Sequence, residues 1–132
     1  KGAFLNGESI SVSRSNKNVV LNISSNWEGK GIPEEMKERL AGVDIVNNSN
    51  SHAVNLCHVA CGRYDGTVRF GKDSFPMFAG GLMISEAGGT FTNNEGNPNI
   101  QYDDRIFIGG NRKTYENLQA AIKQMKLPEY PE

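Results

Sequence analysis

The side chains able to do chemistry in this 132-residue sequence gather in two stretches, "NSHAVNLCHVACG" (50–62) and "YDGTVRFGKDSFPMFAGG" (64–81). The first holds both cysteines and both histidines. Cys57 and Cys61 are four residues apart, one turn apart on a helix, where a bridge would constrain little. With only His52 and His58 to complete a ligand set, they read as reduced core thiols rather than as a metal site. Ser51 is placed to cap the helix that follows, leaving free backbone amides that favour an anion. His52 stands at that helix start with no carboxylate in sequence to hold it as an acid or base, so the plainer reading is a polar surface residue. The second stretch carries Arg69, whose planar fork of donors suits a phosphate; its plainer reading is a solvated strand residue. Asp73 lies three residues before Pro76, at what reads as a helix start.

These residues need a framework, and the sequence supplies one. Asn6-Gly7 between "AFL" and the alternating Ile10 and Val12 is the pattern of a type I′ hairpin. "NVVLNISS" (18–25) alternates as a strand, Pro33 to Leu40 form a short charged helix with proline first, and "VDIV" is a brief strand. A helix capped by Ser51 runs to Gly62, with Val54, Cys57 and Cys61 on one face. Then come a strand over "YDGTVRFG", a helix from Pro76 to Ala87 with Gly80-Gly81 for close packing, and a strand over "TFTNN". A loop at "EGNPN" and a buried strand over "RIFIGG" follow. Asn111 caps a last helix with Tyr115, Leu118 and Ile122 on one stripe. This alternation predicts an α/β fold, a layered mixed β-sheet with helices on both faces, as a single domain over residues 1–132.

Composition is that of a globular protein, 37% hydrophobic and 22% charged, with a net charge of −1. That balance gives no nucleic-acid footprint and no polybasic membrane patch. No apolar run reaches the roughly 18 residues of a membrane span. Lys1 leads straight into the apolar Ala3-Phe4-Leu5, so the chain is expected to start partway through a longer protein. Trp27, alone among polar neighbours, reads as a core edge or a contact to such a missing part.

Four segments in order, "KGAFLNG" with "SVS", "AVNLCHVACGRYDG", "FAGGLMISEAGG" and "GGNRKTYENL", resemble the C-terminal half of the inositol monophosphatase family. The resemblance implies an α-β-α-β-α layered fold, commonly a cytoplasmic homodimer, and Mg²⁺-dependent hydrolysis of small phosphate monoesters. Some bacterial members are also implied to act in RNA metabolism. In that chemistry carboxylates hold the metal, which polarises the phosphate and activates a water. Most of these carboxylates come from the family's N-terminal half, a "DPxDG"-type motif included, and that half is absent here.

One metal-binding aspartate should come from the family's "PWDxAAG", which matches Ser74 to Gly80. Its aspartate position is Pro76, and Asp73 is the weak substitute. The family's "YxE(F/M)G" glutamate, which reads substrate hydroxyls, falls on Arg69, a charge reversal. Its "GSAA/GTAA" turn falls on Asn50-Ser51-His52-Ala53, where His52 replaces a small residue. Asp65-Gly66 matches a structural strand start, and Glu86 a surface or dimer-contact position. The resemblance therefore implies substrate contacts at Asn50, Ser51, His52 and Arg69, no catalytic or metal residue in this chain, and no Mg²⁺ bound by it alone. Three functions remain open: the C-terminal domain of a Mg²⁺-dependent phosphomonoesterase, a catalytically silent relative that binds or assembles, or a metal-free anion-binding module using Arg69 and the Ser51 helix N-terminus. The expected partners are a second copy or the missing half.

Overall fold

A computed structural model describes residues 2–15, 17–25, 34–40, 42–46, 51–71 and 74–125 of the chain. A five-stranded mixed sheet runs in the order β4-β3-β5-β7-β6. Its members are β3 (Val20–Ser25), β4 (Asp44–Val46), β5 (Gly66–Phe70), β6 (Thr90–Asn93) and β7 (Ile106–Gly110). β3 lies parallel to both β4 and β5, whereas β7 is antiparallel to β5 and β6. Ahead of the sheet a separate hairpin pairs β1 (Ala3–Leu5) with β2 (Glu8–Ile10). Its two-residue turn has positive φ at Asn6 (53°) and Gly7 (82°), as a type I′ turn requires.

The period of two along each strand sends alternate side chains to opposite faces. On one face Leu21, Ile23, Val68, Phe70, Ile106 and Ile108 pack under α1 (Glu34–Arg39) and α4 (Arg112–Gln124). Met36 and Leu40 come from the α1 side, Tyr115, Leu118 and Ile122 from α4. On the other face Phe91 and Phe107 pack under α2 (His52–Ala60) and α3 (Ser74–Glu86), with Ala3 of the hairpin at the margin. Helices thus cover both faces, as the alternation of elements predicts. Removing the largest of these side chains from water stabilises the fold by roughly 2–3 kcal/mol each.

Local signals place the helix ends. Ser51 accepts from the Val54 amide at 3.3 Å, and Asn111 from the Thr114 amide at 2.9 Å, each satisfying an orphan first-turn donor. Gly62, at φ 84°, carries the chain out of α2. α3 starts at Ser74, two residues before the start expected at Pro76. Proline fits there because first-turn amides have no partner inside the helix.

The cysteines are corrected. The buried side of α2 is Asn55, Leu56, Val59 and Ala60, so Cys57 is an exposed free thiol and Cys61 a half-buried one. Cys57 and Val54 are equally spaced with the apolar stripe, but the face they share looks away from the sheet. Trp27 and Pro33 lie outside the described residues. No helix among the described residues is long and apolar enough to cross a membrane.

Candidate functional site

The chain order fixes where a ligand belongs in this sheet. From the carboxyl end of β3 the chain moves by α1, on the first face, to β4 at one edge. From the carboxyl end of β5 it moves by α3, on the second face, towards β6 at the other edge. The connections that leave β3 and β5 therefore diverge, and in open α/β sheets such a switch point opens a crevice at the carboxyl ends of the strands. α2 starts on the second face, and its first residues stand over the same pair of strands.

Below that point the second face is polar instead of apolar. Asn22 and Ser24 of β3 lie beside Thr67 and Arg69 of β5 in direct register, Asn22 with Thr67 and Ser24 with Arg69. All four are buried; Arg69 is 3% exposed, although it carries a full charge. Thr67 Oγ1 donates to Asn22 Oδ1 at 3.0 Å, and Asn22 Nδ2 donates to the Val46 carbonyl at 3.2 Å, so one chain of bonds ties β5, β3 and β4. His52 and Asn55 reach the same small cavity from α2, with Leu56, Met77, Phe91 and Phe107 as its apolar wall. The cavity leaves about 10 Å³, room for roughly one water.

The structure thus brings His52 and Arg69 together, and it corrects the plain reading of each. Arg69 is a buried strand residue, not a solvated one, and His52 is a half-buried lining residue, not a surface one. Ser51 is engaged as the cap of α2. Asn50 and Asp73 lie outside the described residues. Pro76 is half-buried in the first turn of α3, next to the lining residue Met77. Four lining residues, Asn22, Ser24, Asn55 and Thr67, were not singled out from the sequence as site residues.

Two further residues have settled structural roles. Asp65 sits at the opposite, amino end of β5, where it accepts from Ser13 Oγ and from the Val20 amide at 2.8 Å. Glu86 accepts from the Gly2 amide at 2.7 Å and so pins the hairpin to the end of α3.

A Mg²⁺ ion needs several oxygen ligands, usually with carboxylates among them. Among the described residues, the lining of this cavity offers amides, hydroxyls, an imidazole and a guanidinium, and no carboxylate. Nor do the described residues contain any group of three His, Cys, Asp or Glu placed to hold a metal. The donor set among the described residues does not fit Mg²⁺.

A mixed sheet with helices on both faces, a switch point between two parallel strands and a polar pocket beneath it define a layered α/β protein. The chain is a member of the inositol monophosphatase family, whose model matches residues 1–127. It is 35% identical over 129 residues to the inositol monophosphatase of Dictyostelium discoideum, across 92% of this chain and 47% of that protein. Among solved structures it resembles the extragenic suppressor protein suhB from Bartonella henselae, with a TM-score of 0.78 and 28% identity over 94% of this chain and 51% of that one. The inositol monophosphatase from Anabaena gives a TM-score of 0.77 at 26% identity, over 95% of this chain and 52% of the other. The chain spans about half the length of the relatives it matches.

Proposed function

We propose that the chain corresponds to the C-terminal half of a phosphomonoesterase of this family and that by itself it does not hydrolyse phosphate esters with Mg²⁺. The observation that carries this reading is the donor set at the switch point, where among the described residues a buried guanidinium and neutral polar groups stand and no carboxylate does. Pro76 supports it, since the matched family position is a metal-binding aspartate and proline offers no ligand atom. Small phosphate monoesters are the substrate class of the whole protein, and a second copy or the other half of the fold is the partner. The free thiols Cys57 and Cys61 support a reducing, cytoplasmic setting.

The test is turnover of inositol 1-phosphate by the purified chain. No release of phosphate above background is expected at millimolar Mg²⁺. Activity that needs Mg²⁺ and stops with EDTA would overturn the proposal.

A second reading is that the full-length protein is a silent relative kept for binding or assembly, favoured by the paired departures at Pro76 and Arg69. In a full-length protein, Pro76→Asp is expected to raise Mg²⁺-dependent turnover at least about tenfold, the scale of one restored ligand interaction of roughly 1.4 kcal/mol in the transition state. An unchanged rate would show that Pro76 is not the missing ligand.

A further inference from the structure

The turn of the β1–β2 hairpin has a chemistry of its own, separate from the pocket and from the family reading. We infer that Asn6 is a self-modification site, where the Gly7 amide nitrogen attacks the Asn6 side chain and converts it through a cyclic imide to aspartate and isoaspartate. In the first step the Gly7 N–H gives its proton to a solvent base, the nitrogen bonds to Asn6 Cγ, and the side-chain nitrogen leaves as ammonia. In the second, one water opens the ring. Opening at Cγ gives aspartate; opening at the Asn6 main-chain carbonyl gives isoaspartate, with the chain rerouted through the side chain.

Three features of the turn carry this. Asn6 and Gly7 are both exposed, so water and base reach them. A Cβ added at Gly7 would meet nothing within 4 Å, so no neighbour obstructs the attack or the rotation about the Asn6 Cα–C bond that it needs. The register pairs Leu5 with Glu8 across the turn, so the ladder closes on those two residues and the Gly7 amide stands outside it. No other asparagine in the chain precedes a glycine. Asn18 shares the left-handed backbone, at φ 52°, and is exposed, but Val19 follows it and a branched side chain crowds the nitrogen. Asn97 precedes Pro98, which has no N–H to lose, and Asn22, Asn55, Asn93 and Asn111 are buried. Isoaspartate adds one main-chain atom and a negative charge to a turn built for two residues. Leu5 and Glu8 then lose their register, and the loosening reaches Ala3 at the margin of the second-face core and the bond from the Gly2 amide to Glu86.

The test is ageing of the purified chain at body temperature and mildly alkaline pH, followed by trypsin and mass spectrometry. Cleavage after Lys1 and Arg14 releases residues 2–14, in which Asn6 is the only amide side chain. That peptide is expected to gain about 1 Da over days, faster as pH rises, as a mixture of aspartate and isoaspartate that fragmentation separates. Conversion at Asn18 should be at least about tenfold slower. Asn6→Gln, whose extra methylene disfavours ring closure, should gain no mass in the same time. Hydrogen exchange at the Leu5 and Glu8 amides should be several-fold faster in the aged chain than in the fresh one. A constant mass for residues 2–14 after a free peptide of the same sequence has fully converted would overturn the inference. So would conversion at Asn18 or in Asn6→Gln at the Asn6 rate, or aspartate as the sole product, which means direct hydrolysis without the ring. Unchanged exchange in the aged chain would overturn the loosening of the hairpin.

Discussion

Gly80→Val is expected to destabilise the chain by about 3 kcal/mol, enough to lower the melting temperature by roughly 10 °C. A Cβ at Gly80 would stand 2.2 Å from Leu56 Cδ1, 2.7 Å from Leu56 Cβ and 2.9 Å from Leu56 Cγ. The end of a leucine can rotate away, but its Cβ moves only with the backbone of α2. The two helices must therefore separate where they lie closest, over the apolar part of the second face. Valine in a helix interior would ordinarily cost slightly less than glycine, so propensity pulls weakly the other way and does not decide the outcome. Gly80→Ala shows the balance more finely, because up to about 1 kcal/mol of helix propensity offsets a smaller clash. The check is chemical denaturation of both variants alongside Leu56→Ala and the Gly80→Val/Leu56→Ala pair. Leu56→Ala alone should cost 2–5 kcal/mol, and the double variant clearly less than the sum, since the first change makes room for the second. Additive losses would mean that Gly80 and Leu56 do not share the contact.

The consequence reaches the site. α2 carries His52 and Asn55 to the cavity, and α3 carries Met77 to its wall. The close approach set by Gly80 is what lets α2, over β5 and β7, and α3, over β6 and β7, share the second face. The double glycine was legible in the sequence as a packing signal; which residue it packs against was not, because Leu56 is distant in the chain and only the crossover of α2 brings it there.

The polar pocket shows the opposite case. Its signal was present but was assigned to the wrong cause. "NVVLNISS" and "GTVRF" alternate apolar and polar residues, which ordinarily marks a strand with one solvated face. Yet the same sequence predicted helices on both faces, and a central strand covered on both sides should be apolar throughout. β5 is buried at all five positions, and its Thr67 and Arg69 face protein, not water. The two expectations conflict at Asn22, Ser24, Thr67 and Arg69, and a conflict between local pattern and global fold is where a functional site is expected. Together, a polar alternation and helices on both faces place Arg69 in a buried pocket and not on a solvated face. The caps at Ser51 and Asn111 and the turn at Asn6-Gly7 were legible because each is decided within about four residues. The exposure of Cys57 was not, because α2 offers two candidate stripes and tertiary packing chooses between them.

Asp65→Ala should cost about 3 kcal/mol. A "DG" pair in a chain of this family invites a metal-binding reading, but Asp65 sits at the amino end of β5, is not among the described lining residues of the pocket, and spends its carboxylate on the strand starts. Its carboxylate is 6% exposed and accepts from Ser13 Oγ and from the Val20 amide, while its own amide donates to the Val20 carbonyl at 2.8 Å. Its carbonyl accepts from the Asn111 amide at 3.1 Å, and Asn111 Nδ2 donates back to Ser13 Oγ at 2.9 Å. One side chain thus joins the strand starts of β3 and β5, the segment after the hairpin and the cap of α4. Alanine leaves the Val20 amide and the Ser13 hydroxyl without that acceptor, and each half-buried orphan donor costs about 1–2 kcal/mol. Asp65→Asn keeps one acceptor oxygen for the Val20 amide but turns an N–H₂ group towards Ser13, whose oxygen already accepts from Asn111. A loss of about 2 kcal/mol is expected there, between parent and alanine. Urea denaturation measures both losses, and hydrogen exchange at the Val20 amide locates them, since that proton should exchange markedly faster in the alanine variant even under native conditions. A loss below about 1 kcal/mol for Asp65→Ala would show that its carboxylate is not part of the frame that holds the two central strands.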